Sequence, residues 1–188
     1  MLVTGENFTL SGIDFEGGGG QGVWDFPGGG NLAIIADGDH LIENSVFHNG
    51  SAPSYRMTLP FGYTTGCGGN VFVETNSSLT VRGSTFSSGY TGGWGGGLCV
   101  YDAAWLKVEG SKFVDNDNGI STHWEMPRYS LPNQEGMNVY IDNSTFDGNS
   151  GETIMVSTYG YMPKLHIQQT SFVGNERGVS ACCGYDDV

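Results

Sequence analysis

Apolar and polar residues follow one phrase that returns six times along the chain, apolar-x-apolar-x-x-small-x-Phe. The copies run Phe8 to Phe15, His40 to Phe47, Leu79 to Phe86, Leu106 to Phe113, Val139 to Phe146 and Leu165 to Phe172. Alternation at the start of the phrase, as in Leu106 and Val108 or Leu165 and Ile167, has the period of two that marks a strand with one buried face. The closing phenylalanines lie 32, 39, 27, 33 and 26 residues apart. The basic unit is therefore about 26 residues long, and the longer intervals carry looped-out chain.

Each position of the phrase has a physical role. Three residues before each Phe stand Gly12, Asn44, Gly83, Gly110, Asn143 and Gln169. Glycine and asparagine enter left-handed backbone conformations most readily, so a corner is expected there. The next position reads Ile13 and then Ser45, Ser84, Ser111, Ser144 and Thr170, and the hydroxyls of the last five are expected to form a ladder from unit to unit. Three residues after each Phe come Gly18, Gly50, Gly89, Asn116, Asn149 and Asn175, which predict a second corner by the same argument. A further strand, led by glycine, follows at Gly29–Leu32, Gly68–Val73, Gly96–Val100, Gly119–Ile120, Gly151–Val156 and Gly178–Val179.

Such a unit cannot bury its apolar face alone, whereas identical units stacked at the strand spacing of about 4.8 Å can. The expected fold is all-β: a parallel β-helix of about six turns, roughly 30 Å long by that spacing, forming one domain over residues 1–188. An antiparallel sandwich would instead place Asn-Gly or Asp-Gly turns between neighbouring strands. The stretches from Ser51 to Gly66 and from Ser121 to Glu135 lack the phrase and contain proline and aromatic residues, so they read as loops. The high glycine content, 32 of 188 residues, is architectural on this reading.

Glycine-led apolar strands combined with Phe-x-x-Asn occur as Phe113-Val-Asp-Asn116, Phe146-Asp-Gly-Asn149 and Phe172-Val-Gly-Asn175. From Phe8 to about Gly178 the chain resembles the repeats of polymorphic outer-membrane-type proteins and related right-handed, pectin-lyase-like β-helix proteins. Phe15, Phe47 and Phe86 depart from that pattern, with Gly in place of Asn. The resemblance implies right-handed coiling, a cell-surface or secreted setting, and adhesion or carbohydrate contact. It transfers no catalytic residue.

Charge narrows the partners. A formal net charge of -13 repels phosphate backbones and anionic headgroups, so no nucleic-acid partner is expected. No run approaches the roughly 20 apolar residues needed to cross a bilayer, and direct membrane insertion is not expected. The start of the chain does not read as an export signal. Neither end offers a clear amphipathic cap, which points to a longer parent chain or to end-to-end contacts. Cys67, Cys99, Cys182 and Cys183 permit two disulfides, in a pairing that sequence does not fix. Asn-x-Ser/Thr triplets at Asn7, Asn49, Asn76 and Asn143 are glycosylation candidates and lean towards an extracellular glycoprotein.

Candidate chemistry is sparse. Four residues before each Phe the outward column reads Ser11, Glu43, Arg82, Glu109, Asp142 and Gln168, with Arg82 between two acids. Arg82 and Glu109 are either part of a saccharide-binding stripe or an exposed ion-pair ladder worth at most about 1 kcal/mol per pair. The column six residues before each Phe, Thr9, Leu41, Thr80, Lys107, Tyr140 and His166, shows no single chemistry. Asp115 and Asp117 open a segment that resembles the start of a calcium loop, although Met126 stands where the closing glutamate belongs. An Asp/Asn-rich corner accounts for the same residues. Calcium is the one ion that these residues could hold, and no other cofactor is expected. Trp124 and Tyr129 belong to the segment where a ligand is first sought, because exposed aromatic rings stack on sugars or anchor a protein partner. With no convergent catalytic set, the expected function is a non-enzymatic structural or adhesion module. The alternatives are a polysaccharide lyase or hydrolase acting in a groove along the rod, and a structural subunit of a larger assembly or filament.

Overall fold

The computed structural model describes residues 1–20, 29–53, 66–124, 137–158 and 163–183. Every strand pairing among them is parallel, and each strand is bonded to its counterpart one rung away. The first sheet contains Leu2–Val3, Leu32–Ile35, Val71–Glu74, Leu98–Tyr101, Ile120–Trp124, Glu152–Thr158 and Arg177–Cys183. The second contains Thr9–Ser11, Asp39–Glu43, Ser78–Arg82, Trp105–Glu109, Asn138–Asp142 and Lys164–Gln168. The third contains Asp14–Glu16, Val46–His48, Thr85–Ser87, Lys112–Val114, Thr145–Asp147 and Ser171–Val173. This is the parallel β-helix that the repeated phrase predicts, with the phrase supplying the second and third sheets and the glycine-led segment supplying the first.

The core is a set of columns running along the helix axis. Leu32, Val71, Leu98, Ile120 and Ile154 from the first sheet face Leu79, Leu106 and Val139 from the second, all fully buried. The closing phenylalanines form an unbroken stack, Phe15–Phe47–Phe86–Phe113–Phe146–Phe172, with successive ring centroids 4.7–5.2 Å apart. The glycines leading the first-sheet strands are needed for space. A Cβ on Gly97 would lie 3.0 Å from Cδ1 of Phe113, and one on Gly119 would lie 3.1 Å from Cδ1 of Phe146.

Both corners are left-handed, but only one lies where the sequence pattern places it. The residues three before each Phe have φ between 46° and 67°. Behind that corner runs the hydroxyl ladder: the N–H groups of Ile13, Ser45, Ser84, Ser111 and Ser144 donate to the hydroxyl of the next rung at 3.2–3.4 Å. The Ser84 and Ser111 hydroxyls in turn donate to the carbonyls two residues back. The second corner is one residue earlier than expected, at Gly17, Asn49, Ser88, Asp115, Gly148 and Gly174, all with positive φ.

Position three after Phe is instead a polar core column. Asn31, Asn70, Asn116, Asn149 and Asn175 bond to one another through their side-chain amides at 2.8–3.3 Å. Where the repeat has Gly, the accepting asparagine lies elsewhere: Asn31 and Asn70 stand outside the phrase, and Asn116 belongs to the next turn. Asn31 Oδ1 accepts from Gly18 N, Asn70 Oδ1 from Gly50 N and Asn116 Oδ1 from Gly89 N. A Cβ on Gly18 or Gly50 would collide with the Asn side chain that fills the column. The departure of the first three turns from Phe-x-x-Asn is thus a rerouting of the same amide ladder.

Two segments read as loops begin or end in strands. Ser51–Ala52 pairs with Tyr90–Thr91, and Ser121 to Trp124 continue the strand Ile120–Trp124 of the first sheet. In the second of them alternation of apolar with polar fails because Thr122, in register with the core residue Val100, is polar and fully buried, while Ser121 and His123 take the register of Cys99 and Tyr101 on an outer flank that is itself partly covered. Cys67 and Cys99 form a disulfide on that flank with Cα atoms 5.7 Å apart, packed with Ala33, Phe72, Ile35 and Tyr101.

Candidate functional site

The second sheet holds its outward residues in strict register. Glu43, Arg82, Glu109, Asp142 and Gln168 succeed one another across adjacent strands, and beside them run Thr80, Lys107, Tyr140 and His166. Arg82 donates to Oε2 of Glu109 through Nε and Nη2, both at 3.2 Å, and Lys107 Nζ reaches Oε1 at 2.7 Å. The Lys107 hydrogen bond, with Arg82 behind it, holds the Glu109 carboxyl below the ordinary carboxylate range. Glu43, by contrast, makes no ion pair with Arg82 among the described residues. Asp142, the next acid in the column, has its Oδ1 buried without a hydrogen-bond partner among the described residues.

Aromatic rings complete this face. Trp105 stacks on Tyr140 with centroids 5.3 Å apart, and Tyr140 stacks on His166 at 4.8 Å and an interplanar angle of 3°. Lys107, Glu109, Tyr140, Asp142, His166 and Gln168 line a groove of about 390 Å³. Sequence reasoning found Arg82 and Glu109 but not the ring stack. Trp105 stands two residues ahead of Lys107 in its own strand and meets Tyr140 only diagonally across the rung.

The other expected positions lie elsewhere. Trp124 is aligned with Thr158 at the end of a first-sheet strand, and Tyr129 lies outside the described residues. Asp115 is a left-handed corner residue, with φ 52°. The Asp117 carboxylate accepts from Thr91 N at 3.3 Å and from Ser150 Oγ at 3.3 Å. Among the described residues no group of three or more His, Cys, Asp or Glu side chains is placed to hold a metal ion. Asn7, Asn49, Asn76 and Asn143 are all exposed. Three of them sit at left-handed corners, and Asn7 Oδ1 accepts from Asp39 N at 3.0 Å.

The flank of the first sheet carries a second cluster. His123 contacts Trp94 edge-on at 4.9 Å and Tyr101 at 5.0 Å, and its Nε2 is buried without a partner among the described residues. Burial pushes the imidazole pKa down to about 4, from an ordinary value of 6.5. Between those values the unfolded chain takes up a proton that the folded chain refuses. Stability is therefore lost as pH falls from 6.5 to about 4, and the loss is complete below that. The gap corresponds to about 3 kcal/mol. Urea unfolding of wild type and His123→Phe between pH 4 and pH 7 should show the variant with the flatter stability curve; parallel curves would mean that His123 titrates as a solvated group.

Comparison with curated proteins and with solved structures gives no match to either. A family model described as "Right handed beta helix region" matches residues 1–187, and with its parallel rungs, phenylalanine stack and polar corner ladders the chain belongs to that family.

Proposed function

We propose that the chain is a non-enzymatic β-helix module of an extracellular or cell-surface protein, and that it holds carbohydrate against the outer face of its second sheet. One observation carries this reading: the ring stack of Trp105, Tyr140 and His166 runs beside a register-locked set of charged and amide side chains. Saccharide recognition requires aromatic surface for the apolar faces of the sugar and fixed donors and acceptors for its hydroxyls. A stacked scaffold keeps both in place without ordering a loop on binding. The exposed Asn-x-Ser/Thr sites support the extracellular setting. The net charge of -13 favours neutral over acidic polymers, unless a cation such as calcium screens the approach.

A hydrolase is the second reading, because Glu109 and Asp142 occupy adjacent rungs, roughly 4.8 Å apart by strand spacing. That spacing suits a pair of catalytic carboxylates. Such an enzyme also needs an acid that stays protonated, and Glu109 is shifted in the opposite direction. The test is retention of the protein on immobilised neutral and acidic polysaccharides, with and without calcium, while new chain ends and unsaturated products are followed. Retention on neutral polymers without turnover is expected. Replacing both Trp105 and Tyr140 by Ala should weaken it about tenfold or more, since stacking contributes about 0.5–1.5 kcal/mol per ring. Turnover abolished by Glu109→Gln would make the protein an enzyme.

A further inference from the structure

The ring stack stops abruptly at Trp105. One face of its indole lies on Tyr140, yet the side chain is 50% exposed. Tyr140 of the following rung covers one face diagonally, so the free face looks towards the preceding rung. The residue in register there is Ser78, and the one beyond it is Asp39. Ser78 is small, and the Asp39 carboxylate that it bonds at 2.7 Å reaches its rung, so a notch about one rung high, roughly 4.8 Å, separates the indole from the serine and the carboxylate.

The walls of the notch are chemically prepared. Ser77 Oγ and Ser78 Oγ both donate to Asp39 Oδ1, at 2.6 and 2.7 Å. These bonds hold the Asp39 carboxyl below its ordinary range and fix its orientation. Oδ1 is thereby occupied, whereas no hydrogen bond to Oδ2 is made among the described residues. The Ser78 hydroxyl donates to Asp39 and keeps lone pairs with which to accept. Thr80 flanks the notch in the neighbouring column, in register with Lys107. A pyranose ring laid on the indole at van der Waals distance, about 3.5–4.0 Å, fills the space and brings its far edge towards Asp39.

We propose that this notch is a saccharide subsite: one pyranose ring stacks on the free face of Trp105 and donates from a hydroxyl or an amine to Asp39 Oδ2. The subsite takes neutral or amino sugars and rejects uronates, whose carboxylate would face that of Asp39. The assignment rests on the carbohydrate-binding reading above.

Titration calorimetry with a glucosamine hexamer, its N-acetylated counterpart and a galacturonate hexamer tests it. The two glucosamine polymers should bind at least tenfold more tightly than the uronate. Ser78→Phe, which fills the notch with a ring and extends the stack, should weaken both about tenfold or more while leaving the melting temperature unchanged. Asp39→Asn should weaken the free-amine hexamer more than the acetylated one. Unaltered binding by Ser78→Phe, together with loss in Tyr140→Ala, would overturn the subsite and leave carbohydrate binding by the groove standing. Preference for the uronate would also overturn it. Failure of the wild-type protein to bind any of the three, or any polysaccharide in the retention assay, would remove the underlying reading as well.

Discussion

Phe113→Ala is expected to cost about 3–5 kcal/mol of folding stability, in the range for removing a fully buried aromatic ring. Phe113 is completely buried and sandwiched between Phe86 at 4.7 Å and Phe146 at 4.9 Å. Its ring also fills the space that Gly97 leaves by lacking a Cβ. Collapse into the cavity would have to shift strands in two neighbouring rungs that are held by parallel ladders on both sides. Phe172, at the same position of the repeat, is 41% exposed and among the described residues stacks on one ring only. Phe172→Ala should therefore lose less than half as much. Equal losses in urea unfolding would show that the stack is not a continuous core column.

Asn116→Asp should be as damaging, although it changes the shape of the side chain hardly at all. Asn116 Nδ2 donates to the Phe86 carbonyl and to Asn149 Oδ1, both at 3.0 Å, and its Oδ1 accepts from Gly89 N and from Asn70 Nδ2. A carboxylate preserves the accepting half of this arrangement and places an oxygen against two others in a site that is 1% exposed. Leaving a buried charge uncompensated costs about 3–5 kcal/mol. Asn143→Asp, at an exposed corner outside the ladder, should change stability by no more than about 0.5 kcal/mol. A small effect at both positions would refute the amide ladder as a stabilising element.

The comparison of these two asparagines shows what a sequence can and cannot convey. Asn143 is legible: it stands where a left-handed turn is needed, and residue type alone announces that. Asn116 stands in a position that also takes Gly, and the same argument misplaced the second corner there. Glycine at 18, 50 and 89 serves to make room for a neighbour's amide, while asparagine at 116, 149 and 175 supplies one. One residue earlier, Ser88 takes the left-handed conformation with no signal from its type, whereas Asp115 is of a type that tolerates it.

The outer face was half legible for a related reason. Arg82 and Glu109 share one column, which the spacing of the repeat reveals directly. Tyr140 and His166 share one column, and Trp105, in the next, joins them only through a diagonal contact across a rung. His123 was hidden by the polar run Ser121-Thr122-His123, which gives no alternation although it continues a central strand. Repeat spacing fixes what stacks directly, whereas contacts made diagonally or through covering segments depend on side-chain placement.

Ligand contact is expected on the second sheet's outer face. Hydroxyl-radical footprinting, with and without a saturating neutral oligosaccharide, tests it most directly by reading the oxidation of individual aromatic side chains. Protection of Trp105, Tyr140 and His166, with Tyr90 and Trp94 unchanged, is the predicted result. Protection confined to Trp94 would contradict it and place the ligand on the flank of the first sheet, and protection confined to Trp124 or Tyr129 would contradict it as well.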